Sequence, residues 1–178
     1  MPGAPSFAIL RRVGLYTLVL TMPTGLKRYQ EAGQFHFITF SCYHRKPLLL
    51  SPEAKDIFEQ VFEQVRSRHT LAVAGYVLMP EHVHLLVDEP PVTPLATVLQ
   101  VLKQTTSRRL KAANEQHLWQ TRYYDFNVSS HAKYREKLRY IHRNPVRRGL
   151  VDKPEDYRWS SFRRYALRER GVVTIEAE

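Results

Sequence analysis

Two histidines separated by one residue are the first feature of the sequence that points to chemistry. His82 and His84 flank Val83 in a stretch where apolar residues alternate with other types. In an extended strand, residues i and i+2 point to the same face, so the two imidazoles stand side by side. Neighbouring imidazoles are suitable ligands for a divalent metal ion. Two exposed or hydrogen-bonded histidines would give the same pattern, so the motif alone leaves both interpretations open.

A tyrosine and an asparagine four residues apart form the second candidate constellation. Tyr140 and Asn144 lie in a segment with helical periodicity, which puts their Cβ atoms on one face, ~5–6 Å apart. A tyrosine hydroxyl is a nucleophile once deprotonated, and the amide oxygen of Asn144 would complete a His-His-amide metal site. The alternative for Tyr140 is packing at a sheet edge, which is common in a chain with ten tyrosines.

The elements that must position these residues follow from the periodicity of the chain. Alternating and apolar stretches predict strands over 35–40, 71–78, 82–87 and 122–128. Helical spacing predicts helices that begin at Ser51, at Thr93 and at Ser129 or Ser130, and a short helix over 159–166. The third helix is expected to end near Asn144, because Pro145 disfavours continuation.

This order of elements, β-α-β-β-α-β followed by helices, is typical of the ferredoxin-like or RRM-like folds. We therefore expect an α+β protein in which an antiparallel sheet carries two helices on one face. The appended C-terminal helix would carry Tyr140. The histidine pair then lies on the face away from the first two helices, since Val83, Leu85 and Val87 point toward them.

Basic residues are concentrated in one part of the chain. The 178 residues, a length typical of one domain, carry a net charge of +10, from 27 Lys or Arg and 17 Asp or Glu. Residues 131–170 hold 13 of the basic residues and five of the acidic ones. Near-average hydrophobic content excludes a disordered chain, and the excess charge indicates a polyanionic partner such as nucleic acid or an anionic membrane surface.

The ends of the chain and its cysteine content give further expectations. Recognisable patterning begins after Met22, so residues 1–21 are expected to be a leader or extension; residues 22–170 form one domain and residues 171–178 a flexible tail. The apolar run over 13–20 is shorter than a membrane helix. Cys42 is the only cysteine, which is typical of a protein in the reducing cytoplasm.

Three segments together carry a resemblance to a known family. Residues 76–86 (YVLMPEHVHLL) and 140–151 (YIHRNPVRRGLV) resemble the REP-associated tyrosine transposases. These belong to the HUH (His-hydrophobic-His) single-tyrosine transposases. Residues 157–162 (YRWSSF) resemble the C-terminal segment of the same family, and the likeness spans about residues 27–166. The resemblance implies an enzyme that nicks DNA and transfers the cut strand.

The resemblance also implies a role for each motif residue. His82, His84 and Asn144 would hold Mg²⁺ or Mn²⁺, although imidazoles would also accept Zn²⁺. Tyr140 would attack the scissile phosphate of single-stranded or hairpin DNA and form a 5′-phosphotyrosine. The family implies recognition of a repetitive extragenic palindrome. Both a monomer and a homodimer are compatible with it, and no membrane partner is expected.

The basic block supplies the expected DNA contacts and leaves two alternatives. We predict that six cations contact phosphates: Lys133, Lys137, Arg139, Arg143, Arg147 and Arg148. The first alternative is a domesticated module that binds hairpin DNA without productive chemistry. The second is an RNA-binding module, because ferredoxin-like sheets with surface aromatic residues also bind RNA.

Overall fold

The computed structural model describes residues 35–110 and 117–176; the predicted leader over 1–21 lies outside them. Its strands are β1 (Phe35–Ser41), β2 (Val73–Leu78), β3 (His82–Asp88) and β4 (Tyr124–Val128). Its α-helices are α1 (Pro52–His69), α2 (Leu95–Leu110), α3 (His131–Arg147) and α4 (Phe162–Ala166). None of the helices in these ranges combines the length and apolar character needed to cross a membrane.

The four strands form one antiparallel sheet in the order β2-β3-β1-β4. The two central strands, β1 and β3, are neighbours in the sheet, although α1 and β2 lie between them in the sequence. This order, with α1 and α2 packed together on one face, confirms the predicted ferredoxin-like α+β fold. β3 is paired on both sides, so a site built on it rests on the most constrained part of the sheet.

The sheet separates two groups of buried side chains. Val83, Leu85 and Val87 of β3 belong to the core beneath α1 and α2, whereas Leu86 belongs to the core on the opposite face. Because side chains alternate along a strand, His84 emerges on the same face as Leu86. The structure therefore places the histidine pair on the face opposite α1 and α2, as the alternation predicted.

Helix α3 covers that second face and contacts β2, β3 and β4. Ser130 begins it, since its hydroxyl accepts a hydrogen bond from the backbone N–H of Lys133 at 3.3 Å. The predicted end near Asn144 is wrong: the helix continues through Pro145 to Arg147. Proline removes one backbone donor, but the next ones bond normally, and the N–H of Arg148 reaches the carbonyl of Asn144 at 3.0 Å.

The segment that follows α3 covers the outer edge of β2. The N–H of Ser161 bonds to the carbonyl of Tyr76 at 3.0 Å, and the N–H of Glu176 bonds to the carbonyl of Val73 at 2.9 Å. Val173 is buried in the core beneath α1 and α2. Residues 171–176 therefore pack against the sheet, in contrast to the flexible tail that the sequence suggested. An uncovered edge strand needs backbone hydrogen-bond partners, and this segment supplies them.

A buried carboxyl group links α1 to β2. Glu59 is 3% exposed, and its Oε1 accepts a hydrogen bond of 2.7 Å from the Tyr76 hydroxyl. Burial raises the pKa of Glu59 to about 7, against the opposing effect of the Tyr76 hydrogen bond. The folded protein therefore holds a proton here that the unfolded chain releases at lower pH, so this group reduces stability as pH rises from about 4.5 to about 7.

Replacing Glu59 with glutamine is expected to stabilise the protein at pH 8 by about 2–3 kcal/mol and to have little effect at pH 4.5. The amide removes the buried negative charge while its oxygen still accepts the Tyr76 hydrogen bond. Denaturant unfolding at both pH values measures the difference. Glu53→Gln, an exposed change on the same helix, is the control. An equal effect of Glu59→Gln at both pH values would contradict the raised pKa.

Candidate active site

The two histidines of β3 lie side by side in a buried position. Their Nε2 atoms are 3.0 Å apart, and the exposed fractions are 7% for His82 and 2% for His84. The ring of Phe37, on neighbouring β1, stacks on His84 with centroids 5.4 Å apart and planes 20° from parallel. Packing therefore holds the pair in place, and both rings face the same small space between the sheet and α3.

An oxygen atom lies on the far side of each ring. The hydroxyl of Thr39 lies 2.7 Å from Nδ1 of His84, and a carboxylate oxygen of Glu81 lies 3.2 Å from Nδ1 of His82. The contact with Thr39 is a hydrogen bond and orients His84, whereas Nδ1 of His82 lies near the Glu81 carboxylate without forming one; the two Nε2 atoms face each other. Burial, followed by the influence of neighbouring His82 and Arg148, holds the pKa of His84 well below its usual range. Neutral imidazole is the form that binds metal.

Helix α3 adds an amide group to the pair. The side-chain nitrogen of Asn144 lies 3.2 Å from Nε2 of His84, and Asn144 is 5% exposed. A half-turn of the amide places its oxygen at the same point, since the two ends of an amide have nearly the same shape. The structure thus brings together the three side chains that the sequence analysis predicted as metal ligands.

The arrangement fits a divalent cation. Two ligands at right angles, each ~2.1 Å from a metal of the Mg²⁺ type, lie ~3.0 Å apart. The observed 3.0 Å between the Nε2 atoms of His82 and His84 matches that separation. Within the described ranges, no three His, Cys, Asp or Glu side chains form a group able to hold a metal ion. The amide of Asn144 is therefore the third protein donor available at this point.

Tyr140 lies beside the histidine pair, one turn before Asn144. Its ring centroid is 5.3 Å from that of His84 and 5.8 Å from that of Phe37, with edge-to-face geometry in both cases. The guanidinium carbon of Arg147 lies 5.9 Å from the centroid of the Tyr140 ring. Tyr140 is half-buried, so its ring is anchored while part of it remains accessible from outside.

A hydrogen-bonded contact ties α3 to the covered edge of the sheet. Nε2 of His142 lies 2.9 Å from the hydroxyl oxygen of Ser161, and that oxygen accepts a hydrogen bond of 3.0 Å from the backbone N–H of Tyr76. Burial lowers the pKa of His142 to about 4. The close approach of α3 to β2 also depends on Gly75, because a Cβ at this position would lie 2.6 Å from a methyl carbon of Leu138. These contacts set the position of α3 on the sheet.

The predicted DNA-binding cations fall into two groups. Three of them contact acidic groups: Lys133 and Lys137 lie 2.8 Å and 3.5 Å from the carboxylate of Glu136, and Arg148 lies 2.8 Å from that of Glu81. Lys137 also lies above two aromatic rings. The other three, Arg139, Arg143 and Arg147, are exposed on the outer side of α3.

Two supporting residues carry no strong signal in the sequence. Thr39 is the cross-strand partner of His84, which only the register of β1 against β3 reveals. Glu81 precedes the histidine motif and reads as a turn charge, although its position beside His82 also suits a residue that orients a metal ligand. Burial opposes its ionisation, but the neighbouring His82 ring and the Arg148 guanidinium outweigh it and lower the pKa of Glu81 to about 2.

The comparison with known families identifies the family of the chain. Residues 29–144 match the family described as IS200-like transposases. The chain belongs to the IS200-like transposase family, and its class is that of the tyrosine transposases.

Individual relatives specify the likeness further. Over 152 residues the chain is 26% identical to the REP-associated tyrosine transposase of Escherichia coli (strain K12), with coverage of 84% of this chain and 88% of that protein. A solved structure of a REP-associated tyrosine transposase bound to a REP hairpin superposes with a TM-score of 0.70 at 22% identity, covering 87% of this chain and 96% of that one. The predicted resemblance to REP-associated tyrosine transposases is confirmed.

Proposed function

We propose that the chain is a metal-dependent single-strand DNA endonuclease and strand transferase that acts on palindromic hairpin DNA through a 5′-phosphotyrosine intermediate. The observation that carries the proposal is the position of Tyr140, with its ring 5.3 Å from that of His84, which Asn144 also contacts. A nucleophile and a set of metal-binding donors thus lie within one small site. A module that only binds nucleic acid needs no such combination.

In this proposal His82, His84 and Asn144 hold Mg²⁺ or Mn²⁺. The support for this is that Nε2 of His82 and the side-chain nitrogen of Asn144 lie 3.0 Å and 3.2 Å from Nε2 of His84, whose other ring nitrogen bonds to Thr39. A bound divalent cation supplies charge neutralisation at the scissile phosphate. The oxygen preference of Mg²⁺ and the nitrogen tolerance of Mn²⁺ make Mn²⁺ the better match to two imidazoles.

Tyr140 supplies the nucleophile. A bond forms between its hydroxyl oxygen and phosphorus while the bond between phosphorus and the 3′ oxygen breaks. The phenol gives up its proton, and the departing oxygen takes one up to become a 3′-OH. The covalent link preserves a phosphodiester, so a 3′-OH can later displace Tyr140 and join two strands without ATP. Edge contacts with Phe37 and His84 orient the ring before the reaction.

Hairpin DNA is the proposed substrate class. The relative in Escherichia coli is named as REP-associated, and the solved relative is bound to a REP hairpin. The half-buried tyrosine requires a phosphate that can approach closely, which favours an unpaired strand next to the hairpin over a stacked duplex. Exposed arginines on α3 supply the positive charge that this strand needs.

The proposed location is the cytoplasm. Cys42 is buried and is the single cysteine of the chain, so an intrachain disulfide plays no part in its stability. Burial raises the pKa of its thiol to about 12, which keeps it in the protonated, unreactive form. Both properties suit a reducing compartment that contains DNA.

The test is a search for the covalent intermediate. The protein is incubated with Mn²⁺ and hairpin DNA that carries an unpaired flank and a label at its 3′ end, the end that stays with the 5′-phosphotyrosine, and the products are separated on a denaturing gel. We expect a labelled species with the mass of protein plus DNA that protease digestion removes. EDTA should prevent it. Binding of the hairpin without any adduct, across a panel of hairpins, would instead identify a DNA-binding module without chemistry.

The environment of His82 gives a separate prediction. Changing Glu81 to glutamine is expected to weaken Mn²⁺ binding by about 10–100-fold, because the carboxylate that lies beside the His82 ring and contacts Arg148 loses its charge. Calorimetric titration of the DNA-free protein with Mn²⁺ measures this. Glu89→Gln, the same change beyond the other end of β3, should leave affinity unchanged. Equal affinities for wild type and Glu81→Gln would show that Glu81 does not support metal binding by His82.

A further inference from the structure

The side chain of Lys137 lies against the sheet, close to the candidate nucleophile. Lys137 precedes Tyr140 by three residues, so the two side chains are neighbours on one side of α3. Its Nζ atom lies 5.1 Å from the ring centroid of Phe37 and 4.7 Å from that of Phe126. The exposed fraction of the side chain is 19%, against 48% for Lys133, one turn earlier. Lys137 is therefore a cation that packing holds inside the site, whereas Lys133 extends into solvent.

Aromatic rings, more than an acidic partner, hold the Lys137 ammonium group in this position. Glu136 lies 3.5 Å from Nζ of Lys137 but 2.8 Å from Nζ of Lys133, so its carboxylate is the closer partner of Lys133. Within residues 35–110 and 117–176, no other carboxylate forms an ion pair with Lys137. The electron-rich faces of Phe37 and Phe126 attract the cation without neutralising it. Its positive charge thus remains available to an anionic ligand.

The ring of Phe37 connects Lys137 with the other groups of the site. This one ring contacts Tyr140, with centroids 5.8 Å apart, and His84, with centroids 5.4 Å apart, as well as the ammonium group of Lys137. Burial is the main cause of the low pKa of His84, and the charge of Lys137 is one of the smaller causes. The nucleophile, a predicted metal ligand and the ammonium group therefore surround a single aromatic side chain.

The reaction proposed for Tyr140 develops negative charge where such a cation can act. The scissile phosphodiester carries one negative charge, and this charge is spread over the oxygens around phosphorus in the transition state. A positive group that is already in place beside those oxygens stabilises the transition state more than the bound substrate. The Lys137 ammonium group meets this requirement, because it is held within one turn of Tyr140 and has no short ion pair to break first.

We propose that Lys137 is a catalytic residue whose ammonium group contacts a non-bridging oxygen of the scissile phosphate and stabilises the transition state of attack by Tyr140. The ammonium group donates a hydrogen bond and keeps its proton, so the bonds that form and break are those already described for Tyr140. This inference rests on the proposed function. The sequence analysis predicted only that Lys137 contacts a phosphate, whereas the inference assigns it to the phosphate that reacts.

The test separates DNA binding from the rate of the bound complex. Lys137→Met removes the charge and keeps an unbranched side chain against Phe37 and Phe126. Lys103→Met is the matched control, because Nζ of Lys103 lies 5.9 Å from the ring centroid of Phe40, a phenylalanine of β1 on the opposite face of the sheet. Hairpin affinity is measured in EDTA. Adduct formation is then timed with Mn²⁺ and protein in excess over DNA, below the unfolding temperature of each variant.

We expect Lys137→Met to form the adduct about 100-fold or more slowly in the bound complex, with hairpin affinity reduced less than about tenfold. A third variant, Lys137→Arg, keeps a cation at this position and should react at least about tenfold faster than Lys137→Met. Lys103→Met should match wild type in both measurements, since it removes the same charge from the other face of the sheet.

Three results would overturn the inference. Bound Lys137→Met could react at the wild-type rate, and a lower affinity would then make Lys137 a contact to a phosphate that does not react. Lys137→Arg could be as slow as Lys137→Met, which would assign the loss to side-chain shape instead of charge. Lys103→Met could be equally slow, which would assign it to the overall charge of the protein. A failure of the proposed function looks different: no protein, wild type included, would form an adduct, and the inference would fall with it.

Discussion

Replacing Tyr140 with phenylalanine is expected to abolish the covalent protein–DNA adduct and to lower strand cleavage by on the order of 10⁴-fold or more, with hairpin affinity nearly unchanged. The substitution removes only the hydroxyl. The phenyl ring can keep its edge-to-face contacts with Phe37 and His84, at 5.8 Å and 5.3 Å between centroids. Cleavage that needs a phosphotyrosine has no other route at this position, whereas the proposed DNA contacts come from cations elsewhere on α3.

The matched control is Tyr134→Phe. Tyr134 lies on the same helix, and its ring packs edge-on against Phe35 at 5.0 Å. Both variants lose one phenolic oxygen from a half-buried tyrosine of α3, so any general effect on helix docking appears in both. Adduct formation on a denaturing gel should persist in Tyr134→Phe and be absent in Tyr140→Phe. An adduct of undiminished yield in Tyr140→Phe would mean that another side chain attacks the phosphate.

The parts of the fold that the sequence predicts are those encoded by local patterns. Alternation in β3 depends only on neighbouring residues, and the caps at Ser51 and Ser130 are read within one turn of each helix. The two motifs of the site are equally local, since each is a pair of residues on one element. Their proximity follows only when the ferredoxin-like topology places α3 over β3.

Features that depend on exact packing were not predictable in the same way. The hydroxyl of Thr39 meets His84 because β1 and β3 pair in one particular register. Glu81 and Arg148 are far apart in sequence, and their ion pair requires the end of α3 to lie over the start of β3. The sequence analysis predicted that Arg148 contacts DNA, but it could not show that Glu81 also binds the Arg148 guanidinium group. The extension of α3 past Pro145 likewise reflects tertiary packing that outweighs the loss of one backbone hydrogen bond.

The C-terminal segment shows the same limit. Residues 171–176 have no strong periodicity, so the sequence suggests a tail. What holds them is the exposed edge of β2, to which Glu176 bonds, and the apolar surface that buries Val173 and Ile175. The edge of β2 that needs hydrogen-bond partners exists only in the folded sheet. The sequence of the covering segment therefore does not show that it fills this role.

Replacing His84 with alanine is expected to weaken Mn²⁺ binding at least about 100-fold and to stop cleavage while DNA binding persists. Nε2 of His84 is the atom that both His82 and Asn144 contact, so its loss leaves two donors with no common centre. Mn²⁺ binding to the DNA-free protein is measured by electron paramagnetic resonance, below the unfolding temperature of each variant. His131→Ala, an exposed change at the start of α3, is the control. Unaltered Mn²⁺ affinity in His84→Ala would place the metal elsewhere.

Two substitutions of Asn144 distinguish between a role as a metal ligand and a role in packing alone. Aspartate keeps an oxygen donor and adds a charge, so Asn144→Asp should bind Mn²⁺ at least as tightly as wild type. Leucine has a similar volume without a donor, and Asn144→Leu should bind about 100-fold more weakly. Saturating Mn²⁺ should therefore raise the unfolding temperature of wild type and Asn144→Asp, because a ligand at 100 times its Kd stabilises the folded state by about 2.7 kcal/mol. If Asn144 served only to donate its amide hydrogen to His84, aspartate would lose that donor as leucine does, and the two variants would show the same metal response.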